Sequence, residues 1–291
     1  MNKEAALAQP VPESCLPFLR AHYPSLRPAE RKVADFILAH AAEAVALTSV
    51  ELARRAGVSD ATVVKCSQHL GFAGFAQLKL ALVRELATAP AGAFGEVTPE
   101  DTVAEIKEKV FHSNAQALTD TAKVLDSAQL ERAVRVIQQA RRVDFFGVGA
   151  SGVVALDAQL KFMRIGLDCG CYPDGHVQAT RAALLKPGDV AVVITHSGRT
   201  RDAIEVLELA RQGQASTICI TNYPSSPAAR LADVVLLTST RETDLRSGAL
   251  GSRLAQLTVI DCLFLAVAIR RHEQAMDYLT RTRAAVAGRK V

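Results

Sequence analysis

The sequence predicts two folds in tandem: an all-α N-terminal domain, then an α/β domain built on a parallel sheet covered on both faces. Three observations carry this. Up to about residue 88, apolar residues recur at helical spacing, broken by short turns. From Val143 onward, short β-branched runs alternate with helical stretches, the pattern of repeated strand-helix-strand units. Between the two lies ATAPAGAFGEVTPED, residues 87–101, whose prolines, glycines and small residues read as a linker. The resulting plan is a helical domain over 1–88, a linker over 89–100, an α/β domain over 101–275 and a C-terminal tail over 276–291.

The elements follow in order. Pro28 suits the first turn of a helix on which Val33, Phe36, Ile37 and His40 share a face. Further helices are expected over Ser49–Arg55, Ser59–His69 and Phe75–Leu86, then over Asp101–Val124 and Gln129–Arg141. The strand runs are Val143–Val148, Leu167–Tyr172, Val190–Thr195, Thr217–Thr221 and Val234–Thr238. Helical patterns lie between most of them, such as Gly152–Ile165 and Arg201–Arg211. A long helix, Gly251–Arg271, closes the domain.

Composition narrows the class. The 291 residues are 49% hydrophobic but only 5% aromatic, so the core is built from Ala, Leu and Val. A net charge of +4 is too mild to imply nucleic acid by itself. No hydrophobic run approaches the roughly 20 residues of a membrane span. The segment MNKEAALAQPVPES carries Glu4 and lacks the apolar stretch of a secretory signal, so a cytoplasmic protein without a membrane partner is expected. Of six cysteines none forms C-x-x-C. Cys169 and Cys171 share one face of a strand, but no His stands beside them at ligand spacing. Buried reduced thiols are the expectation, with no metal and no cofactor.

Residues 49–72, SVELARRAGVSDATVVKCSQHLGF, form the first motif. Leu52, Ala53 and Ala56 give one helix an apolar face. Gly57 stands where the chain turns sharply, Val58 plugs the turn, and Ser59 caps the next helix with Asp60 favoured by its dipole. Val63, Cys66 and Leu70 face inward. This small residue, turn Gly, turn Val and capping Ser match a helix-turn-helix. Ser59, Asp60, Ala61, Thr62, Val64, Lys65 and Gln68 then belong to the helix that enters the major groove, and Arg54 and Arg55 are placed for phosphate. A plain helical bundle with a solvated face is the alternative.

Two loops carry the second signal. GVGASG (147–152) and THSGRT (195–200) each follow a strand and precede a helix. Backbone amides at a helix N-terminus, with hydroxyls from Ser151, Thr195, Ser197 and Thr200, can hold phosphate without a metal. Gly147, Gly149 and Gly152 also satisfy the dinucleotide fingerprint, with Asp168 about 20 residues on. But Asp168 falls at the start of its strand, whereas a ribose-binding acid belongs at the C-terminal end, and THSGRT has no role in a dinucleotide site.

GVGASG followed by THSGRT resembles the sugar isomerase (SIS) domain, and that domain behind this helix-turn-helix resembles the RpiR family of bacterial regulators. AGVSDATVVK, LGFAGFAQLK, KPGDVAVVITHSGRTRD and SRLAQLTVIDCLF are similar to its characteristic stretches, and the likeness covers roughly residues 15 to 272. The resemblance implies a doubly wound sheet that binds a phosphorylated sugar or sugar acid. Ser151, Ser197, Gly198 and Thr200 would hold the phosphate beside Gly149 and Ala150, with Thr195 and His196 facing the same pocket. It also implies a homodimer or homotetramer on an inverted-repeat operator. Lys65 stands where the family usually has Arg, and Cys66 where Phe is common.

An SIS domain can also be a catalyst. Aldose–ketose isomerisation needs a carboxylate or His to move a proton between adjacent carbons. His176, His196, Glu242 and Asp244 are the candidates. Asp244 falls near the place of the Glu that precedes the last long helix in SIS isomerases, one carbon shorter. The expectation is a DNA-binding regulator that is not an enzyme and uses Asp244 as a ligand contact. A sugar-phosphate isomerase with an accessory DNA-binding domain is the alternative.

Overall fold

In the computed structural model, which describes residues 15–88, 97–240 and 250–288, the chain divides into two compact units, Met1–Gly95 and Glu96–Val291. The first is all helix: α1 (Cys15–His22), a 3-10 turn at Tyr23–Ser25, α2 (Pro28–Ala39), α3 (Ala41–Ala44), α4 (Ser49–Ala56), α5 (Asp60–His69) and α6 (Phe75–Thr88). Leu19, Val33, Ile37, Leu52, Val63, Cys66, Leu78 and Leu82 are buried together as its core. Helix α1, absent from the sequence reading, is tied down through its backbone. The Glu85 carboxylate on α6 accepts the amides of Cys15 and Leu16 at 2.8 and 3.0 Å, a negative charge at the positive end of a helix.

The second unit starts with α7 (Val103–Val124) and α8 (Ser127–Gln139). Strands and helices then alternate: β1 (Arg142–Phe146), α9 (Ala150–Met163), β2 (Cys169–Cys171), α10 (Gly175–Ala182), β3 (Asp189–Ile194), α11 (Arg201–Gln212), β4 (Ser216–Thr221), α12 (Pro227–Leu231) and β5 (Val234–Leu237). Helices α13 (Leu250–Arg270) and α14 (His272–Ala287) follow. All pairings are parallel and the strand order is β2-β1-β3-β4-β5. Side chains alternate across the sheet. Val143, Phe145, Val190, Val192 and Ile218 pack with α8, α9 and α13. Phe146, Ala191, Val193 and Cys219 pack with α10, α11 and α12. The sheet is therefore doubly wound.

The structure adds two features to the sequence reading and corrects one expectation. Helices α10 and α12 were not foreseen, because 8 and 5 residues are too short to show a periodicity. Helix α14, from His272 to Ala287, runs across the expected boundary at 275 and takes in much of the expected tail. And α13, at 21 residues and mean hydropathy 1.7, does reach the length and apolarity of a membrane span. Its Ala255, Val259, Ile260, Leu263 and Val267 are wholly buried, and the last four belong to the core on one face of the sheet.

Candidate functional site

The helix-turn-helix is built by caps at each of its joints. Thr48 and Glu51 form a reciprocal capping box at the start of α4, with Thr48 N donating to Glu51 at 2.7 Å. At its end Gly57 takes φ 65°, ψ 43°. Val58 N then donates to the Ala53 carbonyl at 2.9 Å and Gly57 N to Arg54 at 3.3 Å, which satisfies the last-turn carbonyls. Ser59 Oγ accepts the Thr62 amide and starts α5. The same closure recurs after α5, where Gly71 and Phe72 donate to Gln68 and Ser67, each at 3.0 Å.

This fixes which side chains α5 presents. Ser59, Asp60, Ala61, Lys65 and Gln68 are exposed, while Thr62 and Val64 are half-buried. Arg54 is exposed on α4; Arg55 is exposed too, but its guanidinium is held by Glu43 at 2.5 Å. Lys65 makes no hydrogen bond or ion pair within its unit among the described residues. Cys66 faces the core, its Sγ 3.7 Å from the Glu30 carbonyl, and burial pushes its thiol up to about 12. Its departure from the family pattern therefore bears on packing. Glu30 also accepts from the Arg27 amide at 2.9 Å and lies 3.1 Å from His69 Nδ1. Burial works against its ionisation, but these two partners together hold its carboxyl below the usual range.

In the second unit the strand order places the topological switch between β1 and β3. The chain leaves β1 toward β2 on one side and later leaves β3 toward β4 on the other, which opens a crevice at the strand C-termini. Both loops singled out in the sequence border this crevice. Gly147 leaves β1, and Gly149 at φ 58° starts α9. The glycine fingerprint has a packing explanation without any dinucleotide: a Cβ on Gly147 would lie 2.7 Å from the Ser151 carbonyl oxygen. Asp168 precedes β2 and pairs with Arg142 at 2.7 Å, at the N-terminal end of the strands, whereas the loops lie at their C-terminal end.

The second loop is more tightly tied. Thr195 is buried and its amide continues the sheet by donating to Ile220 at 3.0 Å. The His196 carbonyl accepts from the Asn222 amide and from Thr221 Oγ1, each at 3.1 Å, and the Gly198 carbonyl accepts from Ala228 N at 3.1 Å. The His196 ring meets Tyr223 edge-on at 5.7 Å. Ser197 Oγ accepts the Arg199 amide at 3.2 Å. Thr200 stands at the N-cap of α11, 3.5 Å from Thr195 Oγ1, yet its side chain caps nothing. Thr102, Asp126, Asp174 and Ser226 do cap α7, α8, α10 and α12. The helices that open from the two loops begin without a side-chain cap from their N-cap residues, Gly149 and Thr200, which do not compete for the first-turn amides.

Ala150 and Ser151 are half-buried in the first turn of α9, in the same crevice. Asp244 and Glu242 lie outside the described residues. His176 is exposed near the start of α10. Sequence reasoning missed Gln178, buried on α10, because α10 itself gave no signal. Cys169 and Cys171 pack partly buried against the sheet core; burial pushes the first up to about 11 and raises the second. That disfavours the thiolate a reactive or metal-binding cysteine needs.

A helix-turn-helix unit followed by a doubly wound α/β unit with two glycine- and serine-bearing loops at its strand ends defines a class of two-domain DNA-binding proteins. The helix-turn-helix model of the rpiR family matches residues 14–89, and the SIS domain model matches residues 136–266. An uncharacterised HTH-type transcriptional regulator of Caldanaerobacter subterraneus subsp. tengcongensis is 39% identical over 276 residues, covering 95% of this chain and 98% of that one. The HTH-type transcriptional regulator RpiR of Escherichia coli K12 is 34% identical over 270 residues, covering 93% and 91%. Among solved structures, the Vibrio vulnificus NanR protein complexed with ManNAc-6P aligns with a TM-score of 0.61 and 27% identity, covering 96% of this chain and all of that one. The chain belongs to the RpiR family of helix-turn-helix transcriptional regulators that carry a SIS domain.

Proposed function

We propose that the protein is a cytoplasmic transcription regulator of carbohydrate metabolism whose SIS domain senses a phosphorylated sugar or sugar acid. The observation that carries this is the pair of helices, α9 and α11, that open from the switch-point crevice without side-chain caps. An anion there gains two helix N-termini and the hydroxyls of Ser151, Ser197 and Thr200 at once. The phosphosugar bound by the NanR relative supports the same ligand class. Phosphate dominates affinity; His196 and Asp244 supply selectivity for the sugar. The exposed face of α5, with Lys65 and Gln68, reads an inverted repeat as part of a homo-oligomer. Helix α9 carries Val153, Leu156, Leu160 and Met163 on one face, each about half exposed, an apolar stripe that supports self-association.

Calorimetry with a panel of hexose 6-phosphates and phosphorylated sugar acids, paired with operator titrations, tests the reading. Ser197→Ala should weaken the phosphosugar response and leave effector-free DNA binding near normal, while Lys65→Ala should do the reverse. A coupling of about 1–3 kcal/mol would shift operator affinity roughly 5- to 150-fold. If Ser197→Ala binds every phosphosugar as wild type does, the phosphate loop is misassigned. Turnover of a sugar phosphate by the wild type would favour an isomerase instead.

A further inference from the structure

We infer that Gln178 is a positioning residue of the phosphate crevice, and that α10 is the strut through which it braces both loops. This rests on reading the loops as an anion site. Gln178 is 1% exposed, an unusual place for a primary amide. Its Nε2 donates to the Gly147 carbonyl at 2.8 Å and to the Tyr172 carbonyl at 2.7 Å, so both amide hydrogens are committed. Gly147 is the residue with which the chain leaves β1. A trans peptide is planar, so holding its carbonyl toward α10 turns the Val148 N–H the opposite way. Gln178 thereby sets the orientation of the first peptide of the loop. It does not cap its own helix, which Asp174 already does.

Two further contacts make α10 a strut. Arg181 Nε donates at 2.7 Å to the wholly buried Asp144 on β1, which also accepts from Arg142 at 3.1 Å and from the Tyr172 hydroxyl at 3.2 Å. At the other end Gly175 lies so close to Asp202 that a Cβ would overlap its carboxylate. Asp202 is in the first turn of α11, the helix that opens from the second loop. One eight-residue helix thus touches β1, the loop after β1 and the helix after the second loop.

The test uses the full chain, with inorganic phosphate and the best-binding hexose 6-phosphate of the panel as probes. Gln178→Met keeps length and removes both donors. It should weaken both probes by the same factor, about tenfold, and leave operator binding without effector unchanged. Gln178→Glu sets a carboxylate against two carbonyls. Its affinity relative to wild type should be poor at pH 8 and recover toward pH 6, as the carboxyl protonates and donates again. Taken at a temperature where unfolding curves show Gln178→Glu fully folded at both pH values, so that general loosening of the fold is excluded, this recovery decides the matter alone if Gln178→Met melts below the assay temperature. Wild-type affinity in Gln178→Met, or a pH-independent deficit in Gln178→Glu, overturns the inference and leaves the site reading standing. Absence of phosphate and phosphosugar binding by the wild type overturns both.

Discussion

A side chain on Gly198 would overlap the hydroxyl of Ser226. Gly198 holds φ 62°, and its carbonyl accepts the Ala228 amide at 3.1 Å, so the loop is pressed against the start of α12. Gly198→Ala therefore meets two penalties. The left-handed backbone costs about 1–2 kcal/mol, and the overlap adds about 1–3 kcal/mol. Urea unfolding should show the sum, with phosphosugar binding lost as well. A destabilisation below the first figure would mean the loop relaxes freely.

Gly57 and Gln214 both adopt a left-handed backbone just past a helix end, at φ 65° and 57°, but only one is glycine. Space around Gly57 is open, so Gly57→Ala should fold and lose about 1 kcal/mol through its φ alone. Gln214 sits after α11, where Ala215 N closes on Ala210 at 3.0 Å. Gln214→Gly should raise stability by up to about 1 kcal/mol. Thermal melts of the two variants, moving in opposite directions, check both.

Lys65→Ala should weaken operator binding by about 1–3 kcal/mol if the ammonium reads a base. If it meets phosphate instead, affinity falls equally on all sequences and the salt dependence drops by about one ion. Mobility shifts at several salt concentrations on the operator and on an unrelated duplex separate these outcomes. No change on either duplex would remove Lys65 from the interface.

Acid should erode the helix-turn-helix unit in two steps. Burial lowers the pKa of His22 below its ordinary 6.5, so its contribution is fully present above 6.5 and fades as pH falls through the lower folded value. Glu30 is held below its ordinary 4.5, so its contribution is present above 4.5 and is lost further down. His22→Gln should flatten the first step alone in unfolding curves taken between pH 8 and 3. An unchanged slope below pH 6.5 would exclude His22 as its source.

Much of this was legible in the sequence because its signals are local. The Ser59 cap, the turn at Gly57 and the inward Val63 all act within one or two helical turns, and they placed the helix-turn-helix within a residue. Periodicity likewise located the two loops, since a strand followed by small residues and a helix is read within a dozen positions. Where neighbours come from far along the chain, the reading failed. Gln178 was invisible because its partner Gly147 is 31 residues away and its helix too short to show a pattern. The expectation that no run approaches a membrane span overlooked α13, which its packing, and not its composition, identifies as a core helix.

The sequence by itself determined two units, a helix-turn-helix with Lys65 on the outer face of its second helix, and two glycine- and serine-bearing loops at strand ends. Caps, turn glycines and hydrophobic period are properties of neighbouring residues, so they are written in order along the chain. Only the tertiary structure decided that β1 and β3 are adjacent in the order β2-β1-β3-β4-β5, which brings both loops to one crevice. It alone decided that α10 touches the loop after β1 through Gln178, β1 itself through Arg181 and the first turn of α11 through Gly175. Strand order is set by which buried faces fill one core, a condition on the whole chain that no single segment carries.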